Sequence, residues 1–464
     1  MRWSEQLRQA RSLHAALRAL LGVALAAAGL SFFALPALAA SRDRPRPAAA
    51  HPKRPAKVAN SAKSAKHGKA RKVVRHPAVD LPRARLGVPE PIFDPSGKAL
   101  TPWHEALSRV LAGNSTARIA FYGASHTAAD LWTGELRRRL QQRYGDGGHG
   151  FVLPTRFNPG YRHQDLVVDS SKGWVVQRHL RTSGADHVGA YGLSGMVMLS
   201  ADPTEWAELR TTVENPQGRS FDRLQIWLAP QPGGGHWRVD IDGQRHDLDA
   251  RAGAAGLKTW SLRDTGHVVR LQPVGDGPVG LYGLVLERSA GGVVIDQLGI
   301  PGMKADIHLH WQEKTWAEQL ARRQPDLVVL AYGTNDVGEV QAPEAYAAEW
   351  LQVLERVRRA APQAACVIVG PSDRLGKDEN GQRRPMPRTP EVIAVQKKVA
   401  VQMGCGHWDA VAAMGGPGSM EAWRRGHWAT KDGVHLNRDG YTRLAELFDA
   451  ALHSGVAKVR SVAP

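Results

Sequence analysis

The chain has 464 residues, 42% of them hydrophobic. A single core stops growing beyond roughly 250–300 residues, so more than one packed unit is expected. Of the formal +17 charge, thirteen units fall within residues 1–80, which leaves the remainder near +4 and without the basic excess of a nucleic-acid-binding module. No Cys/His grouping has structural zinc spacing, and neither a metal nor an organic cofactor is expected.

Residues 1–40 place Arg2, Arg8, Arg11 and Arg18 ahead of an apolar stretch that ends on Ala37-Leu38-Ala39. That order is a secretory signal peptide. The apolar run from Ala19 to Ala40 also approaches the roughly 20 residues that span a bilayer, so an uncleaved anchor is the alternative. Both readings put the protein outside the cytoplasm, in the periplasm or cell envelope. Residues 41–80 hold twelve Lys or Arg against Asp43 and Asp80, amid Ala, Pro and Ser. Such a stretch buries no core and is expected to be a disordered basic linker. It suits an anionic envelope polymer or membrane surface, or it is a plain tether with no partner. No nucleic-acid partner is expected.

An α/β pattern begins near residue 100. ALSRVLAG predicts a helix, ARIAFYGAS an apolar strand running into a turn, and DLWTGELRRRLQQRYG a helix with Leu131, Leu136 and Leu140 on one stripe. Between about 175 and 290 the period shortens. Trp237, Val239 and Ile241 alternate with Arg238, Asp240 and Asp242, and Gly-, Pro- and Asp-rich turns separate the runs. An antiparallel β-sandwich or jelly roll is expected there. The α/β pattern then returns with GGVVIDQLGIPG, WAEQLARRQ, PDLVVLAYGTND, EAYAAEWLQVLERVRRAA, PQAACVIVGPSD, TPEVIAVQKKVAVQMG, GHWDAVAAM and NRDGYTRLAELFDAALHSG. This alternation predicts a parallel sheet with helices on both faces, interrupted by the β segment as an insertion. The expected divisions are 81–174 and 291–464 for the two parts of the α/β domain and 175–290 for the insert. Cys366 and Cys405 sit in short apolar segments. They pair if those segments are neighbouring strands, and are otherwise two buried thiols.

Three blocks, GASHTAADLW, AYGTNDVG and KDGVHLNRDGY, fall where loops leave the carboxyl ends of parallel strands, the place where open α/β sheets bind ligands. Asp432 and His435 are spaced so that the acid can orient the imidazole, which then acts as base toward a hydroxyl. Taken alone, the pair also reads as a surface loop. Ser125 follows a strand and precedes a helix, so it is either an exposed nucleophile at a turn or a helix cap. Asn335 offers a side-chain amide, or serves as a turn residue. Gly302 offers a backbone N–H, or is a turn glycine.

In this order at successive strand ends, the set Ser, Gly, Asn and Asp-x-x-His resembles the SGNH (GDSL-like) hydrolase superfamily. The resemblance covers roughly 100–170 and 290–464. Its strongest runs, such as YGASHTAADLWTGELRRRLQQRYGDGGHGFV and KDGVHLNRDGYTRLAELF, look like the bacterial envelope branch that contains peptidoglycan O-acetylesterases. Members of that branch carry a carbohydrate-binding-module-like β domain after the serine block. The resemblance implies a three-layer α/β hydrolase domain with Ser125 as nucleophile, His435 as general base and Asp432 as its orienter. It assigns the oxyanion hole to the Ser125 N–H, the Gly302 N–H and the Asn335 amide. Many members have Asp before the serine, where this chain has Ala124. His126, Trp227 and Trp237 are the expected substrate contacts, with packing as the alternative role for each. The activity implied is an O-acetylesterase on cell-wall glycan. A glycan O-acetyltransferase with the same triad, or a non-catalytic glycan-binding envelope protein, are the rivals.

Overall fold

The computed structural model describes residues 86–113, 115–155, 157–179, 188–251 and 256–454. The expected signal segment and basic linker lie outside the described residues.

Five parallel strands form one sheet in the order Gly292–Gly299, Thr116–Gly123, Leu327–Ala331, Ala365–Val369, Gly406–Trp408. Runs such as LVVLA and ACVIV are almost continuously apolar because helices cover both sides of the sheet. Alternate residues of one strand therefore enter different cores. Ala120 and Tyr122 pack with Trp316 and Trp350 from the helices Glu313–Arg323 and Pro343–Ala360. Ile119 and Phe121 pack with Trp103, Leu136 and Phe448 from Thr101–Ala112, Leu131–Tyr144 and Arg438–His453. This yields three layers, helices–sheet–helices.

Between the strands Thr116–Gly123 and Gly292–Gly299 the chain builds two antiparallel sheets. One joins Leu257–Thr265, Phe221–Ala229, Val279–Glu287, Met196–Ser200 and Val175–Arg178, with Gly148–Val152 added to Val279–Glu287. The other joins Leu166–Ser170, Ala207–Thr211, Val268–Pro273, His236–Ile241 and Gln244–Asp249. Two of these strands, Gly148–Val152 and Leu166–Ser170, precede residue 175, where the change of period placed the start of the β segment. Each is only five residues long, too short for the alternation to register.

Two of the expected substrate contacts are corrected here. Trp227 is 4% exposed, with Phe151 set edge-on against it, and Trp237 is fully buried and stacked on Trp174. Both spend their apolar area in the core and are unavailable to a sugar. The antiparallel sheets are tied to the parallel one by buried charge. Arg323 reaches Asp296 at 2.8 Å and Glu287 at 2.7 Å, and Glu287 also accepts from Arg118 at 2.9 Å.

Cys366, in the strand Ala365–Val369, forms a disulfide with Cys405, which directly precedes the neighbouring parallel strand Gly406–Trp408. Cross-linking residues 39 positions apart removes loop-closure entropy from the unfolded chain. Replacing both cysteines by alanine is expected to lower the free energy of unfolding by about 3–4 kcal/mol, read from urea melts.

Candidate active site

The strand Thr116–Gly123 ends on a glycine, and a Cβ there would lie 2.1 Å from Thr127 Oγ1, so only glycine permits the turn that follows. Ser125 opens a four-residue helix, Ser125–Ala128, held by Ala128 N–H donating to Ala124 O at 2.9 Å. Register sets the loop beside its neighbours. Gly123 pairs with Gly299 on one side and Ala331 on the other, so the loops carrying Gly302 and Asn335 leave the sheet at the same level as Ser125.

His435 comes from the far end of the chain. Its Nε2 lies 2.8 Å from Ser125 Oγ, and its Nδ1 lies 2.7 Å from Asp432 Oδ2. With Nδ1–H donating to the carboxylate, Nε2 is left as the acceptor for the serine proton. Asp432 Oδ1 accepts from Thr430 Oγ1 at 2.6 Å, Val434 N–H at 2.9 Å and His435 N–H at 3.0 Å. Burial alone would raise the Asp432 pKa, but the bonds from Thr430 and His435 outweigh it and hold the carboxyl below the usual carboxylate range. The acid stays ionised and aimed at the imidazole. The loop runs straight into the helix Arg438–His453, capped by the Asn437 side chain, which accepts from Gly440 N–H. The side chains of His435 and Asp432 remain 37% and 47% exposed, so the relay is open to solvent.

Gly302 adopts φ +81°, the left-handed region that glycine enters freely. Asn335 Nδ2 donates to Met303 O at 2.8 Å, which ties the two loops together and leaves the second amide hydrogen free. The loops of Gly302 and Asn335 thus follow the two strands that flank the one leading into Ser125. Behind Asn335, Asp336 is buried and its Oδ2 has no hydrogen-bond partner among the described residues. Burial pushes its pKa up to about 7, with Lys304 opposing and Asp306 adding to the rise.

Both ring nitrogens of His126 are engaged within the protein. Its Nδ1 lies 2.6 Å from Tyr441 OH and its Nε2 3.0 Å from Ser372 Oγ. Ser372 in turn meets Thr334: its backbone N–H donates to Thr334 Oγ1 at 3.1 Å, and the two hydroxyls lie 3.3 Å apart. Burial, with His435 nearby, lowers the His126 pKa to about 3, so the ring is neutral and packs between the helix Arg438–His453 and the loop carrying Ser372. That supports packing, the alternative role expected of it.

Sequence reasoning missed a second brace. Asp130 and Asp165 both bind the buried Arg137, at 3.0 Å and 2.8 Å. Asp130 Oδ2 also accepts from Gln164 N–H at 2.8 Å, and Arg162 N–H donates to Ala128 O at 3.0 Å. Together these pin residues 162–165 over the turn carrying Ser125. A buried arginine in an otherwise apolar helix stripe was the available signal. Among the described residues, no group of three His, Cys, Asp or Glu is placed to hold a metal ion.

Residues 269–443 match the model of the GDSL-like Lipase/Acylhydrolase family. The match starts after most of the antiparallel sheets and so omits the Ser125 block. A solved structure described as "Peptidoglycan O-acetylesterase in action, 5 min" is 28% identical, with TM-score 0.65, covering 79% of this chain and 99% of that one. A family two carbohydrate esterase from Cellvibrio japonicus is 13% identical, with TM-score 0.26, covering 62% of this chain and 99% of that one, too remote to inform the site. No curated protein matches the chain.

The buried Asp336 makes a prediction about stability. A carboxyl whose pKa rises on folding keeps its proton in the native state when the unfolded chain has lost it. Stability is then full below the unfolded carboxylate pKa and is lost as pH climbs to about 7. Asp336→Asn is expected to stabilise the protein by about 2–4 kcal/mol at pH 8 and to leave it little changed at pH 4, read from melts at both pH values. The family match, the whole-fold likeness and the hydrogen-bonded Ser125–His435–Asp432 relay together identify the chain as an SGNH-type carboxylic ester hydrolase, similar to the peptidoglycan O-acetylesterase.

Proposed function

We propose that this protein is an exported serine esterase that removes O-acetyl groups from cell-wall glycan through an acyl-enzyme on Ser125. The observation that carries the reading is the continuous relay from Asp432 through His435 to Ser125 Oγ, set beside Gly302 and Asn335. The glycan comes from the 28%-identical structure, whose description names peptidoglycan.

His435 Nε2 takes the Ser125 proton as Oγ attacks the acetyl carbonyl carbon, and the ionised Asp432 holds the imidazolium that forms. The negative charge that develops on the carbonyl oxygen meets the N–H groups of Ser125 and Gly302 and the free amide hydrogen of Asn335. His435 then gives its proton to the sugar oxygen as the C–O bond breaks. A water, deprotonated by the same imidazole, attacks the acyl-serine and releases acetate. The exposure of the relay suits a polymer, since a glycan strand has to lie across it with both ends in solvent. The Cys366–Cys405 disulfide supports export, because such bonds persist in oxidising compartments.

The test is acetate release from O-acetylated peptidoglycan, acetylated xylan and a soluble aryl acetate. Peptidoglycan is expected to be turned over fastest, with Ser125→Ala lowering kcat at least about 1,000-fold on every substrate. Asn335→Ala is expected to lower kcat about 100- to 1,000-fold with little change in KM, since the amide acts on charge that exists only in the transition state. Undiminished hydrolysis by Ser125→Ala would remove the nucleophile from the scheme.

A further inference from the structure

Beside the relay stands a short hairpin whose function the catalytic chemistry does not explain. Its strands Leu375–Lys377 and Arg383–Pro385 pair antiparallel, with Leu375 opposite Pro385, Gly376 opposite Arg384 and Lys377 opposite Arg383. Its tip is closed from within, as Asp378 N–H donates to Gln382 O and Gly381 N–H to Asp378 O, each at 2.8 Å. Its base joins the catalytic loop, where Leu375 N–H donates to Gly433 O at 2.9 Å. Arg383 leans on that loop. Its Nη2 donates to the Lys431 carbonyl, and its Nη1 would lie 2.6 Å from a Cβ at Gly433, the residue between Asp432 and Val434.

The charge on this face is uncompensated. Lys377 and Arg383 are directly opposed and so project from the same side, an arrangement that destabilises a strand pair. Both are exposed, as is Lys431, and none of the three forms an ion pair among the described residues. The other side of the hairpin behaves differently. Arg384 there is neutralised by Asp378 at 3.4 Å and held by Gln382 at 2.8 Å. A hairpin that satisfies its charge on one side and opposes like charges on the side facing the active site is in local conflict with its own stability, a mark of function.

We propose that Lys377, Arg383 and Lys431 form a subsite for carboxylates, so that the esterase selects acetyl esters on an anionic glycan over those on a neutral one. The inference rests on the esterase reading above. The Arg383 guanidinium, with one donor held by the Lys431 carbonyl, keeps further N–H donors for a carboxylate, and two flexible ammonium groups beside it accept a charge whose position varies along a polymer. The carboxylate belongs to a sugar ring or to a peptide carried on the sugar.

The experiment measures kcat/KM on O-acetylated peptidoglycan, the same material after amidase removal of its peptides, an acetylated polyuronate, acetylated xylan and an aryl acetate, each at low and high salt. Wild type is expected to prefer the carboxylate-bearing polymers, with a preference that shrinks as salt rises. A drop on removing the peptides assigns the carboxylate to peptide, and retained preference for the polyuronate assigns it to sugar. In Lys377→Gln/Lys431→Gln, whose side chains make no ion pair among the described residues, the acidic-to-neutral ratio of kcat/KM is expected to fall roughly tenfold. Arg383→Lys keeps the charge and is expected to keep most of the ratio, whereas Arg383→Gln loses it. An unchanged ratio in the double variant, or a wild-type preference for neutral esters, would overturn the subsite. Aryl acetate turnover that is absent in wild type would overturn the esterase reading itself, and the subsite with it.

Discussion

The hydrogen bond between Ser125 Oγ and His435 Nε2 joins residues 310 positions apart, and no local preference of either segment can produce it. It depends on where two loops leave one sheet. The serine loop is set by the glycine turn at the end of the strand Thr116–Gly123 and by the brace of Asp130, Arg137 and Asp165 above it. The histidine loop is set by the capped start of the helix Arg438–His453, which packs against the helix following Ser125 through Phe448, Leu136 and Leu140. His126 closes the frame. It holds Tyr441 from that last helix at one nitrogen and Ser372, with Thr334 behind it, at the other. Ser125, His435 and the loop carrying Thr334 and Asn335 are thereby held to one another by polar contacts rather than by loop conformation alone.

The antiparallel sheets belong to the same mechanical unit. Arg323 bridges Glu287, the last residue of the strand Val279–Glu287, to Asp296 in the edge strand of the parallel sheet. Arg118 in the serine-bearing strand shares Glu287. Burying such charges is favourable only when each finds its partner, and here the three carboxylate–guanidinium contacts form a single network. Tyr122 extends the tie on the apolar side, donating to Leu193 O at 3.2 Å while accepting from Trp316 Nε1 at 3.0 Å. The segment between the first two blocks is therefore bound to the strand that positions Ser125.

Much of this was legible from residue order. Strands buried on both faces write themselves as apolar runs such as LVVLA, and the spacing of Asp432 and His435 is a local pattern that survives in the structure as a direct hydrogen bond. What was not legible depends on tertiary neighbours. Trp227 and Trp237 carry the two-residue period of a half-buried strand, but whether the open side meets solvent or Phe151 and Trp174 is decided elsewhere in the chain. The pairing of Cys366 with Cys405 needed the sheet order. The role of His126 needed Ser372, 246 residues away, and Tyr441, 315 residues away. The hairpin at 375–385 escaped notice because its strands are three residues each, too short for any period to show.

The central claim is that Ser125 is the nucleophile and that His435 activates it. The most direct measurement is labelling with a fluorophosphonate, which reacts with an activated serine and stays attached, followed by peptide mapping by mass spectrometry. The account predicts stoichiometric modification at Ser125, loss of acetate release in step with labelling, and little labelling when His435 is replaced by alanine. Modification at another residue, or full activity in the protein labelled at Ser125, would contradict it.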